Sequence, residues 1–205
     1  MAAAHQRPLS SLFVIAGPSG AGKGSVIKEL LRRDPGLWLS LSTTTRPRRQ
    51  GERDGREYRF VDRSAFLELE ERGELLESCE VFGNLYGTPR GPVEAQIAAG
   101  RDVVLELDVQ GALKVREAFP DAVLIFLCPP DRITQRDRLV ARGRDDAATI
   151  ERRLAEAADE EAMAREFEHV VVNDELSRVV DEVAGILARH GLPPSDEDPK
   201  ARRRP

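Results

Sequence analysis

Gly17-Pro18-Ser19-Gly20-Ala21-Gly22-Lys23-Gly24-Ser25 sets four glycines, a lysine and two hydroxyls between an apolar run, Leu12-Phe13-Val14-Ile15-Ala16, and a segment of helical spacing. Glycines let a backbone turn tightly and point successive N–H groups inward, so a phosphate chain can rest in the concavity at the positive end of the following helix. Lys23 then reaches the β- and γ-phosphates. The pattern is G-x-x-x-x-G-K-[S/T] except at its last position, where Gly24 replaces the hydroxyl and Ser25 supplies one a residue later.

The elements that must hold this loop follow from the hydrophobic pattern. Besides Leu12–Ala16, strands are expected at Leu37–Leu41, Val103–Leu107, Ala122–Cys128 and Val170–Val172. Helices are expected at Ser25–Arg33, Val93–Ala99, Ala112–Phe119 and Val179–Arg189. Near-continuous apolar strands alternating with helices indicate an α/β fold, a parallel sheet of the P-loop NTPase type flanked by helices on both faces. Ligands then collect at the carboxyl ends of the strands.

Two stretches interrupt the alternation. Residues 42–92 are polar, Gly-rich and Arg-rich, and carry Tyr58-Arg59-Phe60-Val61, Leu75-Leu76-Glu77 and Tyr86-Gly87-Thr88, as a small sheet-containing subdomain would. Residues 131–161 are densely charged and helical, broken at Arg142-Gly143-Arg144-Asp145-Asp146, as suits a mobile lid. The expected organisation is one domain over 9–192, with a core of 9–41, 93–130 and 162–192, between disordered tails at 1–8 and 193–205.

Composition narrows the class. The chain has 205 residues, 40% hydrophobic and 33% charged, within the range of an ordinary soluble domain. The apolar run Ala122–Cys128 is far short of the roughly 20 residues a membrane-spanning helix needs. Residues 1–8 contain no apolar core of signal-peptide length. The net charge of −5 argues against a general nucleic-acid binder. Seven arginines stand against four acids between Arg46 and Arg63, and Arg53, Arg56, Arg59 and Arg63 among them read as solvated charges. Cys79 and Cys128 have neither metal-ligand spacing nor a paired framework, which fits a reducing cytoplasm, and both read as small buried hydrophobes. His5, His169 and His190 lack a catalytic context.

Beyond the loop, Ser40-Leu41-Ser42-Thr43-Thr44-Thr45-Arg46-Pro47-Arg48-Arg49-Gln50-Gly51-Glu52, continued by Gly55-Arg56-Glu57-Tyr58, resembles the signature of guanylate kinases. The resemblance extends through Gly83-Asn84-Leu85-Tyr86-Gly87-Thr88, Leu105-Glu106-Leu107-Asp108-Val109-Gln110-Gly111-Ala112, Arg142-Gly143-Arg144 and Val171-Val172-Asn173-Asp174. It runs in consistent order from about Leu12 to Leu187.

This resemblance implies transfer of the γ-phosphoryl group of ATP to GMP, and also to dGMP, with Mg²⁺. It implies a core, a GMP-binding insertion and a lid, with Arg46, Arg49, Tyr58 and Tyr86 on the GMP phosphate and Ser42, Glu77, Thr88 and Asp108 around the guanine. Lid arginines of the family fall on Arg138 and Arg142, and a following helix arginine falls on Arg153; with Lys23 and Arg46 these form the implied catalytic set. The chemistry agrees. A phosphate monoester has a second pKa of ~6, so the acceptor needs no general base, and the task is to hold two polyanions in line. Arginine forks bind phosphate oxygens bidentately, and a carboxylate such as Glu77 can accept from both N1–H and the N2 amine of guanine while Ser42 donates to O6.

Three positions depart from the family pattern. Gly24 leaves the metal contact to Ser25 or to water, Arg48 stands where proline is usual, and Val109 replaces a larger side chain. Glu106 either organises metal-bound water or simply ends its strand. Two other readings belong to the same scaffold: a catalytically silent phosphopeptide-binding module, and a kinase for a phosphorylated sugar. The first is expected to lack loop or lid residues that are present here. The second has no use for the pair Ser42 and Glu77.

Overall fold

The computed structural model describes residues 11–143 and 146–190. The expected tails at 1–8 and 193–205, and Arg144-Asp145 of the lid break, lie outside the described residues.

Five strands form the parallel sheet: β1 (Leu12–Ala16), β2 (Trp38–Leu39), β7 (Val103–Glu106), β8 (Val123–Cys128) and β9 (His169–Val172), in the spatial order β2-β7-β1-β8-β9. β1 is buried throughout because it is the middle strand, hydrogen-bonded to β7 and β8 in parallel register. Its side chains alternate between two cores. Phe13 and Ile15 pack with Val26, Ile27 and Leu30 of α1 (Lys23–Arg33) and with Val179 and Val183 of α7 (Leu176–His190). Leu12, Val14 and Ala16 pack with Val93 of α3 (Arg90–Ala98), Val109 and Ala112 of α4 (Val109–Ala118) and Phe167. Each large side chain so buried contributes about 1.5–3 kcal/mol.

The edge strand is shorter than Leu37–Leu41. Only Trp38 and Leu39 pair with Val103 and Val104, and after the Ser40 N–H donates to the Val104 carbonyl at 2.9 Å the chain turns off toward a second sheet. All four expected helices start two or three residues earlier than the sequence suggests, α1 at Lys23, α3 at Arg90, α4 at Val109 and α7 at Leu176. α3 takes Pro92 into its first turn, where a missing N–H breaks no intrahelical bond. α4 begins at Val109, not Ala112, because the Asp108 carboxylate caps it, accepting from the Gly111 N–H at 2.7 Å.

The second sheet consists of β3 (Thr43–Thr44), β4 (Arg59–Phe60), β5 (Leu75–Val81) and β6 (Asn84–Pro89), ordered β4-β3-β6-β5. β5 and β6 form a hairpin whose two turn residues, Phe82 and Gly83, have φ of 50° and 77°, the paired positive values of a tight hairpin turn. A helix not foreseen in the sequence, α2 (Arg63–Glu71), is capped by Asp62 and buries only Phe66, which is why its charged sequence hides the helical period. The charged stretch is the helix pair α5 (Arg132–Ala141) and α6 (Ala147–Ala162), begun by the capping aspartates Asp131 and Asp146. Among the described residues no helix is long and apolar enough to cross a membrane.

Candidate active site

The phosphate loop leaves β1 at its carboxyl end and is fixed by close backbone approach. A Cβ on Gly17, at φ +138°, would lie 2.2 Å from the Leu127 carbonyl oxygen, and one on Gly22, at φ +91°, 2.4 Å from Asn173 Nδ2. The carbonyls of Ser19 and Ala21 are held by side chains of neighbouring elements. Asn173 Nδ2 donates to the Ala21 carbonyl at 2.6 Å, and the wholly buried Gln135 donates to the Ser19 carbonyl at 2.8 Å. Whereas α2, α4, α5 and α6 each begin on a capping aspartate, α1 begins on Gly22 with no side-chain cap and no acid in its first turn. Although the Ser25 N–H turns back to the Gly22 carbonyl at 3.0 Å, no side chain caps the positive dipole end of α1, which suits an anion there. Lys23 donates to the carbonyl of Gly17, and desolvation holds its ammonium below the usual lysine range while Glu106 and Glu160 pull the other way.

The second sheet supplies the facing side. Glu77 on β5 is 5% exposed, and burial raises its carboxyl to about 7 against a lowering hydrogen bond from Thr88 Oγ1 to Oε1 at 2.7 Å. Its Oε2 is buried without a hydrogen-bond partner among the described residues. Arg46 donates through one nitrogen to both Glu52 oxygens at 2.8 and 3.0 Å, with its guanidinium 5.4 Å from the Tyr58 ring centre. Tyr58 and Tyr86 meet edge to face with centroids 5.9 Å apart, and burial pushes the Tyr58 phenol up to about 12.

These groups face one cleft of about 490 Å³. Gly17, Ser19, Lys23, Gly24 and Ser25 line it from the loop. Ser42, Arg46, Arg49, Tyr58, Glu77 and Tyr86 line it from the insertion. Asp108 follows β7, while Arg142 and Arg153 come from the lid pair. Thr88 is buried behind Glu77. Arg138 is placed differently from the other arginines, outside the cleft lining and behind the loop, where it donates to the Asn173 carbonyl at 2.8 Å. Glu106 both ends its strand and faces the cleft, its Oε1 3.8 Å from where a Cβ on Gly24 would stand.

Cys79 corrects the sequence expectation. It is no apolar filler: its Sγ donates to Asp108 Oδ2 at 3.2 Å on the cleft wall, and burial pushes its thiol up. The alternation of β5 places Cys79 on the same face as Glu77, a signal the sequence did contain. Phe82, Glu52, Glu156 and Glu160 also line the cleft and were not singled out. Phe82 stands over Arg152 and Arg153 of α6, their guanidinium carbons 4.9 and 4.7 Å from its ring centre. His169 and His190, with Nε2 atoms 3.4 Å apart, lie outside the cleft lining, and the His190 carbonyl accepts from Ser11 Oγ at 2.6 Å.

A phosphate loop at the end of the central strand, a second sheet facing it and charged helices bearing arginines beside both form a P-loop NTPase-type architecture with one shared cleft. The guanylate kinase family model matches residues 9–190, and the chain belongs to that family. It is 50% identical over 184 residues to a guanylate kinase of Nitrosomonas europaea, covering 90% of this chain and 92% of the relative. It is 49% identical over 180 residues to one of Gloeobacter violaceus, covering 88% of each. The crystal structure of guanylate kinase from Anaplasma phagocytophilum superposes with a TM-score of 0.74 at 33% identity, over 91% of this chain and 88% of that one.

Proposed function

We infer that this chain is an enzyme that transfers the γ-phosphoryl group of ATP to GMP, and to dGMP, giving ADP and GDP. The observation that carries the reading is the buried, unpartnered Oε2 of Glu77 in the same cleft as Lys23 and the uncapped start of α1. A carboxylate left without a donor inside a protein is costly, and guanine supplies two donors side by side. A sugar phosphate or a phosphopeptide also carries donors, but not two adjacent coplanar N–H donors fixed on one rigid ring. The insertion 42–92 is taken as the GMP side and 131–161 as the lid.

In this mechanism Ser42 donates to guanine O6, Glu77 accepts from N1–H and the N2 amine, and Asp108 and Thr88 hold Glu77's surroundings in place. Arg46 exchanges Glu52 for the GMP phosphate, joined by Arg49 and the phenols of Tyr58 and Tyr86. On the other side the loop from Gly17 through Pro18, Ser19, Gly20, Ala21, Gly22, Lys23 and Gly24 to Ser25 cradles the ATP phosphates. The attacking GMP oxygen is already ionised near neutrality, so the protein's task is orientation and charge stabilisation. Lys23, Arg142 and Arg153 supply positive charge to the transferring group, and Arg138 stiffens the loop from behind. One hydroxyl, Ser25, and one carboxylate, Glu106, face the open space beside Gly24, a donor set that suits Mg²⁺, which keeps several waters and binds through few protein oxygens beside substrate phosphates. The ion would neutralise phosphate charge there. The unpaired cysteines support a reducing, cytoplasmic setting.

A coupled assay of ADP formation against GMP, dGMP, AMP, CMP, UMP and a phosphorylated sugar tests the reading. GMP is expected to exceed AMP by ~10⁴-fold in kcat/KM. A sugar phosphate outrunning GMP, or no turnover with any acceptor, would overturn it.

A further inference from the structure

We propose that Phe82 is a positioning residue that clasps the lid helix α6 to the acceptor-side hairpin and so aims Arg153 at the phosphate loop. The proposal rests on the functional reading above.

Phe82 is the one non-glycine residue with positive φ among the described residues, at a turn position that glycine, asparagine or aspartate fills without strain. A phenylalanine kept there needs a reason outside the turn. Its neighbour Asn84 already secures the turn, donating from Nδ2 to the Phe82 carbonyl at 3.1 Å. The ring instead reaches across the cleft to Arg152 and Arg153. Arg153 in turn donates from one terminal nitrogen to Ser19 Oγ of the phosphate loop at 3.1 Å. The hairpin bearing Phe82 also bears Glu77, Tyr86 and Thr88, and its register pairs Val81 with Asn84 and Cys79 with Tyr86. Base, acceptor phosphate and lid arginine are therefore linked through one short rigid ribbon.

The type of contact matters. A carboxylate partner would neutralise an arginine and occupy its N–H groups, as Glu52 does for Arg46. An aromatic face attracts a guanidinium without neutralising its charge and without accepting from its N–H groups in the way a carboxylate does. Phe82 thereby places Arg153 without competing with the transferring group. Binding of GMP to the hairpin is transmitted to the lid by the same contact.

Steady-state kinetics and hydrogen exchange of wild type, Phe82→Leu, Phe82→Tyr and Phe82→Gly test this. Phe82→Leu, which keeps apolar bulk, is expected to lower kcat about 5- to 10-fold with KM for GMP within about twofold, the range of a partly desolvated cation–π contact. Phe82→Tyr is expected to restore kcat. Phe82→Gly relieves the turn, so its Tm should equal or exceed that of wild type while kcat falls as in Phe82→Leu. Without nucleotide, amides of α6 around Arg152 and Arg153 should exchange faster in Phe82→Leu and return to wild-type rates in Phe82→Tyr. Unchanged kcat and exchange in Phe82→Leu, equal losses in the Leu and Tyr variants, or a loss confined to KM for GMP would each overturn the clasp. Were another acceptor preferred over GMP, the functional reading would fall, while the exchange comparison would still decide the clasp.

Discussion

The two ends of the cleft are built from different materials. At the loop, the main chain does the holding: backbone passes against backbone at Gly17, Asn173 and Gln135 hold the loop carbonyls, and α1 begins uncapped. At the acceptor end side chains do it, and one of them, Glu77, is left unsatisfied, while another, Arg46, is engaged by Glu52. A backbone site is pre-shaped for any triphosphate but carries no information about a base. A buried acceptor awaiting two donors discriminates, because the wrong base leaves it unsatisfied.

If this contrast holds, removing charge at the loop end should damage rate, and removing it at the acceptor end should damage choice. Lys23→Ala is expected to lower kcat by ~10²–10³-fold, as loss of one electrostatic stabiliser does, with the fold intact by circular dichroism. Near-normal turnover would end the phosphate-loop mechanism. Glu77→Gln keeps the shape but takes away the charge and one acceptor, so kcat/KM for GMP should drop by ~10²-fold while the rate with AMP is nearly unchanged. Equal losses for both nucleotides would mean that Glu77 does not read the base.

The raised carboxyl of Glu77 sharpens the contrast through pH. Because its native value of about 7 lies above the ordinary 4.5, the native chain binds more protons than the unfolded one between those values. Glu77's contribution to stability therefore declines as pH rises through that window. Guanine's donors favour the ionised form, so GMP must displace a proton below pH 7. KM for GMP should rise about tenfold from pH 7.5 to 6 in wild type, and in Glu77→Gln only by the share due to the GMP phosphate, pKa ~6. Parallel profiles would show that Glu77 titrates elsewhere. The smallest effect concerns Gly24: a Cβ there meets only the Glu106 carboxylate at 3.8 and 3.9 Å, so Gly24→Ala should stabilise α1 by about 0.5–1 kcal/mol in thermal melts. A drop in Tm would show that the space beside Glu106 is less open than it looks.

Sequence reading reached the loop end more completely than the acceptor end, for the same reason. Strand, glycine loop and helix are contiguous, so Leu12 to Arg33 states its own geometry. The acceptor end joins residues from β3, β5, β6 and the start of α4, and only a resemblance over the ordered motifs could gather Ser42, Glu77, Tyr86 and Asp108. Where local and tertiary demands coincide in one residue, the sequence showed only one of them. Asp108 was read as a guanine contact, yet its Oδ1 caps α4 and its Oδ2 takes the Cys79 thiol. Phe82 left no periodic trace because its contact with Arg153 joins a turn residue of positive φ to a helix about 70 residues away.

The cleft wall carries six carboxylates, Glu52, Glu77, Glu106, Asp108, Glu156 and Glu160, beside five cations, Lys23, Arg46, Arg49, Arg142 and Arg153. The protein thus brings its own counterions. Under the proposed function, nucleotide phosphates entering the cleft would exchange with these tethered acids, so KM is expected to respond less to salt than binding at an open basic patch. Small inorganic anions, which cannot span enough of these sites at once to replace the tethered acids, are expected to compete poorly. A site for two polyanions is in this way kept from behaving as a general anion trap.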